Sequence, residues 1–266
     1  MKFTGVLTKM ITEYSSPIQY YLELEDNFIN VNQLLDKNIR ITFERYQCLT
    51  CGKNKKTFRQ GNCYDCFFKQ PNVGEWIIKP ELSKAHLDIE DRDLAYEKKV
   101  QLQPHIVYLA LSGNVKVGVT RKPQVPTRWI DQGASKAIAI METPNRYLAG
   151  ITEVVLKKYA SDKTNWQKML KNDISNINLL DVKESIYQHI PKETKEYFLS
   201  ENTAIYTFDY PVIKYPKTIK SHRLEKDPII EGKLKGIKGQ YLIFEDGSVF
   251  NIRNNEGSVI SLRTLS

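Results

Sequence analysis

Cys48, Cys51, Cys63 and Cys66 are the four cysteines of the chain, and they form two C-x2-C pairs separated by eleven residues. Thiolates at this spacing are a ligand set for tetrahedral zinc, because each C-x2-C turn presents two sulfurs on one side. Gly52 follows the first pair, where such a turn often needs a positive φ. Two disulfides would use the same residues, but the paired spacing in a chain read as cytoplasmic argues against them. Four thiolates close the coordination sphere, so the expected role of the ion is structural. Between the pairs stand Lys53, Lys55, Lys56, Phe58 and Arg59, and Tyr64, Phe67 and Phe68 come with or after the second pair. Cations interleaved with π-faces suit phosphates and bases. The same aromatics equally suit the small core of a ribbon, with the lysines as its solvated rim.

A second set of candidate residues follows at 104–175. VYLAL and VKVGV are two apolar runs parted by Ser112-Gly113-Asn114, which predicts a hairpin. PTRWIDQG starts with Pro126 and ends with Gly133, which predicts a short helix. The segment SKAIAIME predicts a strand and RYLAGITEVVLKKYA a longer helix. On that helix Arg146, Gly150 and Glu153 share one face, while Ile151, Val154 and Val155 lie toward another and are expected to pack on the sheet. A glutamate beside a glycine leaves room for a metal and a phosphate to approach. A solvated Arg/Glu stripe is the bland reading of the same pattern.

In order and in residues, this region resembles the GIY-YIG nuclease core. Ile106-Val107-Tyr108 stands where the first strand motif would be and Lys116-Val117-Gly118 where the second would be. The resemblance implies a phosphate-binding arginine at Arg128, a Mg2+- or Mn2+-binding carboxylate at Glu153 and a site-closing polar residue at Asn165. It departs from the pattern in having Lys116 in place of the second-motif tyrosine and no histidine after Arg128. Hydrolysis of a phosphodiester needs an activated water, a cation on the non-bridging oxygens and help for the leaving oxygen. Tyr108 is the expected proton relay if nearby cations depress its pKa, and Lys116 is expected to neutralise a phosphate oxygen, being a poor base unless desolvated. Lys53, Lys55, Lys56, Arg59, Arg121 and Arg146 are the expected nucleic-acid contacts. Over nearly the whole chain, PTRWIDQGA, the four cysteines and GIKGQYLIF also resemble the bacterial family of unknown function DUF2797.

The two ends look alike. Gly5, Leu7, Gln19, Tyr20, Glu25, Asp26, Phe28 and Asn30 are echoed by Gly232, Leu234, Gln240, Tyr241, Glu245, Asp246, Phe250 and Asn251. Neither end alone could bury much apolar surface, so a pair of small β units forming a barrel or sandwich is expected. Two unrelated meanders of similar composition would give the same pattern. The fold class expected is therefore α+β, with barrel- or sandwich-like terminal units, a zinc ribbon and a central GIY-YIG-like mixed α/β domain. The corresponding segments are 1–45 and 229–266 for the β units, 46–70 for the ribbon, 71–103 for a connector, 104–175 for the α/β domain and 176–228 for a helical, basic connector.

Composition bounds the partners. Lys and Arg number 39 against 31 Asp and Glu, a net +8, which favours an anionic partner such as DNA or RNA. With 41% hydrophobic residues, no apolar run long enough to span a bilayer and a polar start, the chain reads as a cytoplasmic, non-membrane protein. Three functions remain open from sequence: a metal-dependent endonuclease, a non-catalytic DNA- or RNA-binding module on a degenerate GIY-YIG fold, and a protein-interaction domain with incidental charge. The four histidines are scattered and suggest no second metal site.

Overall fold

The computed structural model describes residues 2–160 and 165–265. The chain forms two compact units, one from its two ends, up to Lys69 and from Phe208 onward, with Leu170–Asn172, and the other from Gln70–Met169 and Asp173–Thr207. No helix among the described residues is long and apolar enough to cross a membrane.

In the first unit the two ends interleave. An open seven-stranded sheet runs Lys2–Val6, Ser258–Leu265, Asn38–Tyr46, Ile229–Lys238, Tyr241–Phe244, Ser248–Asn251, Lys220–His222. The first strand of the N-terminal segment thus pairs antiparallel with the last strand of the C-terminal one, and the reverse pairing joins Asn38–Tyr46 to Ile229–Lys238. In each segment a hairpin and a 3-10 turn, Val31–Leu34 or Arg253–Asn255, precede the long strand. The hairpins differ in destination: Gln19–Leu24 and Asn27–Asn30 join Ile11–Glu13 in a separate three-stranded sheet, whereas Tyr241–Phe244 and Ser248–Asn251 extend the large one. The expected barrel does not form. Closure requires the two edge strands to pair, and Lys2–Val6 and Lys220–His222 each have one neighbour. Leu7, Ile39, Ile41, Leu234, Leu242, Phe250 and Leu262 are buried within this unit, as their alternation requires.

The second unit has a four-stranded antiparallel sheet in the order Asn114–Arg121, His105–Ser112, Lys136–Thr143, Tyr206–Thr207. The expected hairpin turns on Gly113 alone, at φ 88°, with Ser112 opposite Asn114. One face carries Val107, Leu109, Leu111, Val115 and Val117, which pack with Ile138, Ile140, Ala149, Leu156, Leu179 and Ile186. The other presents Tyr108, Lys116 and Gly118. Leu94–Gln101, N-capped by Asp93, and Leu179–Tyr187, capped by Asn178, belong to this unit.

Helix Arg146–Leu156 starts at Asn145, whose side chain accepts from Leu148 N at 3.0 Å. Its buried face is Ala149, Gly150, Thr152, Glu153 and Leu156, while Val154 is exposed, so the expected packing of Ile151, Val154 and Val155 on the sheet is corrected. The helix is turned because the turn at Pro80–Leu82 packs on it at Gly150, where a Cβ would lie 2.2 Å from Glu81 N and 2.4 Å from the Pro80 carbonyl carbon. Backbone, not space for a metal and phosphate, lies beside this glycine. Gly150→Ala is expected to cost roughly 1–3 kcal/mol, as overpacking of a rigid contact does. Urea unfolding measures it, and an unchanged midpoint would show that the turn simply moves away.

Candidate functional site

Two clusters carry chemistry, one in each unit. In the first unit, the Cys48, Cys51, Cys63 and Cys66 sulfurs all lie within 4.8 Å of one another. Gly52 takes φ +66°, and its N–H donates to the Cys48 carbonyl at 2.9 Å, closing the turn that points the first pair inward. Cys63 N donates to Cys48 Sγ at 3.3 Å. Burial opposes ionisation of Cys48, but the N–H groups of Cys51, Cys63 and Thr50 outweigh it and lower the thiol to about 6. Cys66 is pushed up to about 12 by burial and by the other three cysteines. Four sulfurs converging where one already ionises readily are a donor set that could hold a zinc ion. Of the cations expected to meet nucleic acid, Lys55 pairs with Asp65 at 2.9 Å and Lys56 with Glu225 at 2.5 Å. Arg59 lies 5.4 Å above the Phe58 ring, and Lys53 is exposed. The two ion pairs are at the surface, where such pairs contribute little and exchange easily.

In the second unit the hairpin, the short helix and the longer helix bring Tyr108, Lys116, Arg128 and Glu153 together. Tyr108 lies opposite Gly118 in register, and a Cβ on Gly118 would stand 2.6 Å from the tyrosine hydroxyl. The glycine is thus what lets the phenol reach across its neighbouring strand. Thr127–Asp131 is helical as expected and places Arg128 where its charge acts on both Tyr108 and Lys116. The negative charge of Glu153 acts on both Tyr108 and Lys116. Gln132, one turn beyond Arg128, joins the group: its Oε1 accepts from the Tyr108 hydroxyl at 3.0 Å and from Lys116 Nζ at 2.6 Å. The i, i+4 spacing of Arg128 and Gln132 was available in the sequence as a signal for this residue.

Burial sets the protonation of the group. Tyr108, Lys116 and Glu153 are 1%, 6% and 7% exposed. The Tyr108 phenol is raised, first by burial and further by Glu153, against the opposing effect of Arg128, so the expected depression is reversed. It is a neutral phenol that donates to Gln132. Glu153 is likewise raised by burial, despite Lys157 at 3.4 Å and the charge of Arg146. Lys116 is lowered to about 8, by burial first and then by Arg128, with Glu153 opposing. Desolvation brings this lysine closer to a base, while at neutral pH it stays mostly protonated.

The same lysine makes stability depend on pH. Its ordinary value is 10.5. Between about 8 and 10.5 the folded state holds fewer protons than the unfolded chain, so this group adds stability as pH rises through that window and costs it below. Lys116→Met is expected to raise stability near neutral pH by roughly 1–3 kcal/mol and to flatten that alkaline rise. Urea unfolding at neutral pH and in the alkaline window checks both. Destabilisation at neutral pH would show that the bond to Gln132 outweighs burial.

Four further residues are placed. Arg146 is partly buried: its guanidinium donates to Trp76 O at 3.0 Å and Ile77 O at 2.8 Å and lies 5.5 Å from the Trp76 ring, so the residue expected as a nucleic-acid contact clamps a loop. Arg121 ends the hairpin, and its charge acts on His105 and Arg146. Asn165 is exposed and accepts from Gln167 N at 3.2 Å and Lys168 N at 3.1 Å, capping Trp166–Lys171. Glu81, which nothing in the sequence marked, carries a buried Oε2 with no hydrogen-bond partner, and its charge acts on Glu153 and Arg146.

Fold and sites define an α+β protein of two units, one with a four-thiol cluster able to hold a metal and one with a buried Tyr-Lys-Arg-Glu group on an antiparallel sheet. The chain belongs to DUF2797, described as a protein of unknown function, whose family model matches residues 36–260. No curated protein and no solved structure matches it.

Proposed function

We propose that this is a zinc-containing, nucleic-acid-interacting protein whose second unit hydrolyses phosphodiesters as a GIY-YIG-like, metal-dependent endonuclease. What carries the reading is the coupling of Tyr108, Lys116, Arg128 and Glu153, four residues from four separate elements. A tyrosine, two cations and a carboxylate can supply a phosphate clamp, a proton acceptor and a metal-binding oxygen for in-line attack by water.

Arg128 clamps the non-bridging oxygens, its planar fork matching two of them as charge builds. Lys116, lowered toward neutrality by burial, takes the proton of the attacking water. Tyr108, held by Gln132, orients the phosphate next to Arg128. Glu153 and Glu81 would be the ligands of a Mg2+ or Mn2+ ion: the charge of Glu81 acts on Glu153, Glu81 Oε2 is a buried oxygen without a hydrogen-bond partner, and oxygen donors are what such ions take. When bound, the ion supplies positive charge at the phosphate and an acidified water. Zinc at the four cysteines is structural, because its sphere is closed.

A second reading, a DNA- or RNA-binding module without turnover, draws on the burial of Tyr108, Lys116 and Glu153. A phosphate reaches such groups only if the surrounding turns open. The test is cleavage of labelled single- and double-stranded DNA and RNA with Mg2+ or Mn2+. Metal-dependent nicking supports the first reading, and salt-sensitive binding without nicking supports the second.

A further inference from the structure

Phe58, Tyr64 and Phe68 in the cysteine segment are 45%, 61% and 50% exposed. They form one cluster, with ring centroids 5.2 Å apart for Phe58 and Tyr64, 4.8 Å for Tyr64 and Phe68, and 5.9 Å for Phe58 and Phe68. Phe67 is buried beneath them at 5.3 Å from both Phe58 and Phe68. A single exposed aromatic needs no explanation, but three contiguous ones mark a surface that meets a partner. Phe67, Cys48 and Cys63 are the buried apolar side chains of this segment, and the three outer rings stand outside that interior.

Charge identifies the partner. Between residues 48 and 69 there are five cations, Lys53, Lys55, Lys56, Arg59 and Lys69, and one carboxylate, Asp65. Lys55 bonds Asp65, and the charges of Lys53 and Lys69 also act on it, which sets these lysines beside Tyr64. Arg59 lies over Phe58. Exposed π-faces rimmed by cations match a polymer of flat rings joined by phosphates. In a duplex the base faces are stacked on one another and hidden, whereas a single strand offers them.

We propose that this aromatic surface is a stacking platform for single-stranded nucleic acid, with bases on Tyr64, Phe58 and Phe68 and phosphates on Lys53, Arg59 and Lys69. The inference rests on the nucleic-acid half of the reading above and is independent of cleavage.

The experiment is fluorescence anisotropy with the zinc-loaded full chain and no magnesium. The probes are labelled oligodeoxythymidine and oligouridine of about 16 nucleotides, together with a mixed-sequence duplex. Both single strands are expected to bind more tightly than the duplex, and a difference between them reads the 2′-hydroxyl. Tyr64→Ala and Phe68→Ala are each expected to weaken single-strand binding about 5- to 150-fold, with Tyr64→Phe retaining it. Replacing Lys53 and Lys69 by alanine is expected to lower the salt slope by about 0.7 for each phosphate no longer neutralised. Zinc content and far-UV circular dichroism confirm that the variants fold. Preference for the duplex, or single-strand binding unchanged in folded Tyr64→Ala and Phe68→Ala, would overturn the platform. So would capture of an acidic polypeptide such as polyglutamate with equal affinity. None of these results depends on whether the second unit cleaves.

Discussion

Arg128→Ala and Glu153→Gln are each expected to reduce metal-dependent phosphodiester cleavage by about 10²–10³-fold, the loss usual for one preorganised charge at a developing anion. Arg128 has the largest expected effect because, besides clamping the phosphate, its charge acts on both Tyr108 and Lys116. Arg128→Lys keeps the charge but loses the planar fork, so an intermediate loss is expected. Glu153 is the more discriminating position, since its carboxyl is buried and raised. The sign matters: a carboxyl whose folded value lies above its ordinary one contributes stability only as pH falls toward the acid range, and near neutrality its charge is a cost. Glu153→Gln therefore keeps shape and burial without removing a stabilising charge, and loss of cleavage in a variant with an unchanged unfolding midpoint reports on chemistry. Cleavage within a few-fold of the parent in both variants would sink the endonuclease reading.

Removal of zinc is expected to unfold the cysteine segment. Its interior is Cys48, Cys63, Phe67 and Asn62, too little apolar surface to offset the ordering of more than twenty residues. Structural zinc supplies about 10–16 kcal/mol in small zinc-finger peptides, so with an ion on these four sulfurs metal affinity is expected to provide most of the stability of the segment. Cys63→Ser should abolish stoichiometric zinc, because it removes one of the four converging sulfurs while leaving the backbone N–H that bonds Cys48 Sγ in place. Zinc content by mass spectrometry and limited proteolysis with and without a chelator measure this. New cleavage at residues 48–69 is expected after chelation. A protease pattern indifferent to the chelator would mean that the four thiols are held by the fold and not by an ion.

The expected features that rest on local spacing match what the chain forms. The two C-x2-C pairs with Gly52, the hairpin around Gly113 and the short helix between Pro126 and Gly133 each depend on contacts a few residues apart, and backbone preference within such a window decides them. Tyr108 and Gly118 face one another for the same reason, since a one-residue turn leaves a single register.

Features made by distant segments were not legible. The alternation in Gln19–Leu24 and Tyr241–Phe244 marks both as strands, yet nothing in it says that one joins a three-stranded sheet and the other a seven-stranded one. Gly150 read as space beside a glutamate, and it is filled by Pro80 and Glu81, some seventy residues away in the chain.

Sequence by itself determined the metal-capable thiols, the hairpin strands around Gly113 and the identities of the charged residues, because these follow from residue type and short-range geometry. Only the tertiary structure decided their protonation and their partners. Tyr108 raised instead of lowered, Lys116 brought down to about 8, Arg146 tied to Trp76 and Ile77, and Gln132 and Glu81 added to the group all come from burial and long-range packing. The free energy of a charge depends on how much water the rest of the fold removes from it, and that is a property of the whole three-dimensional arrangement.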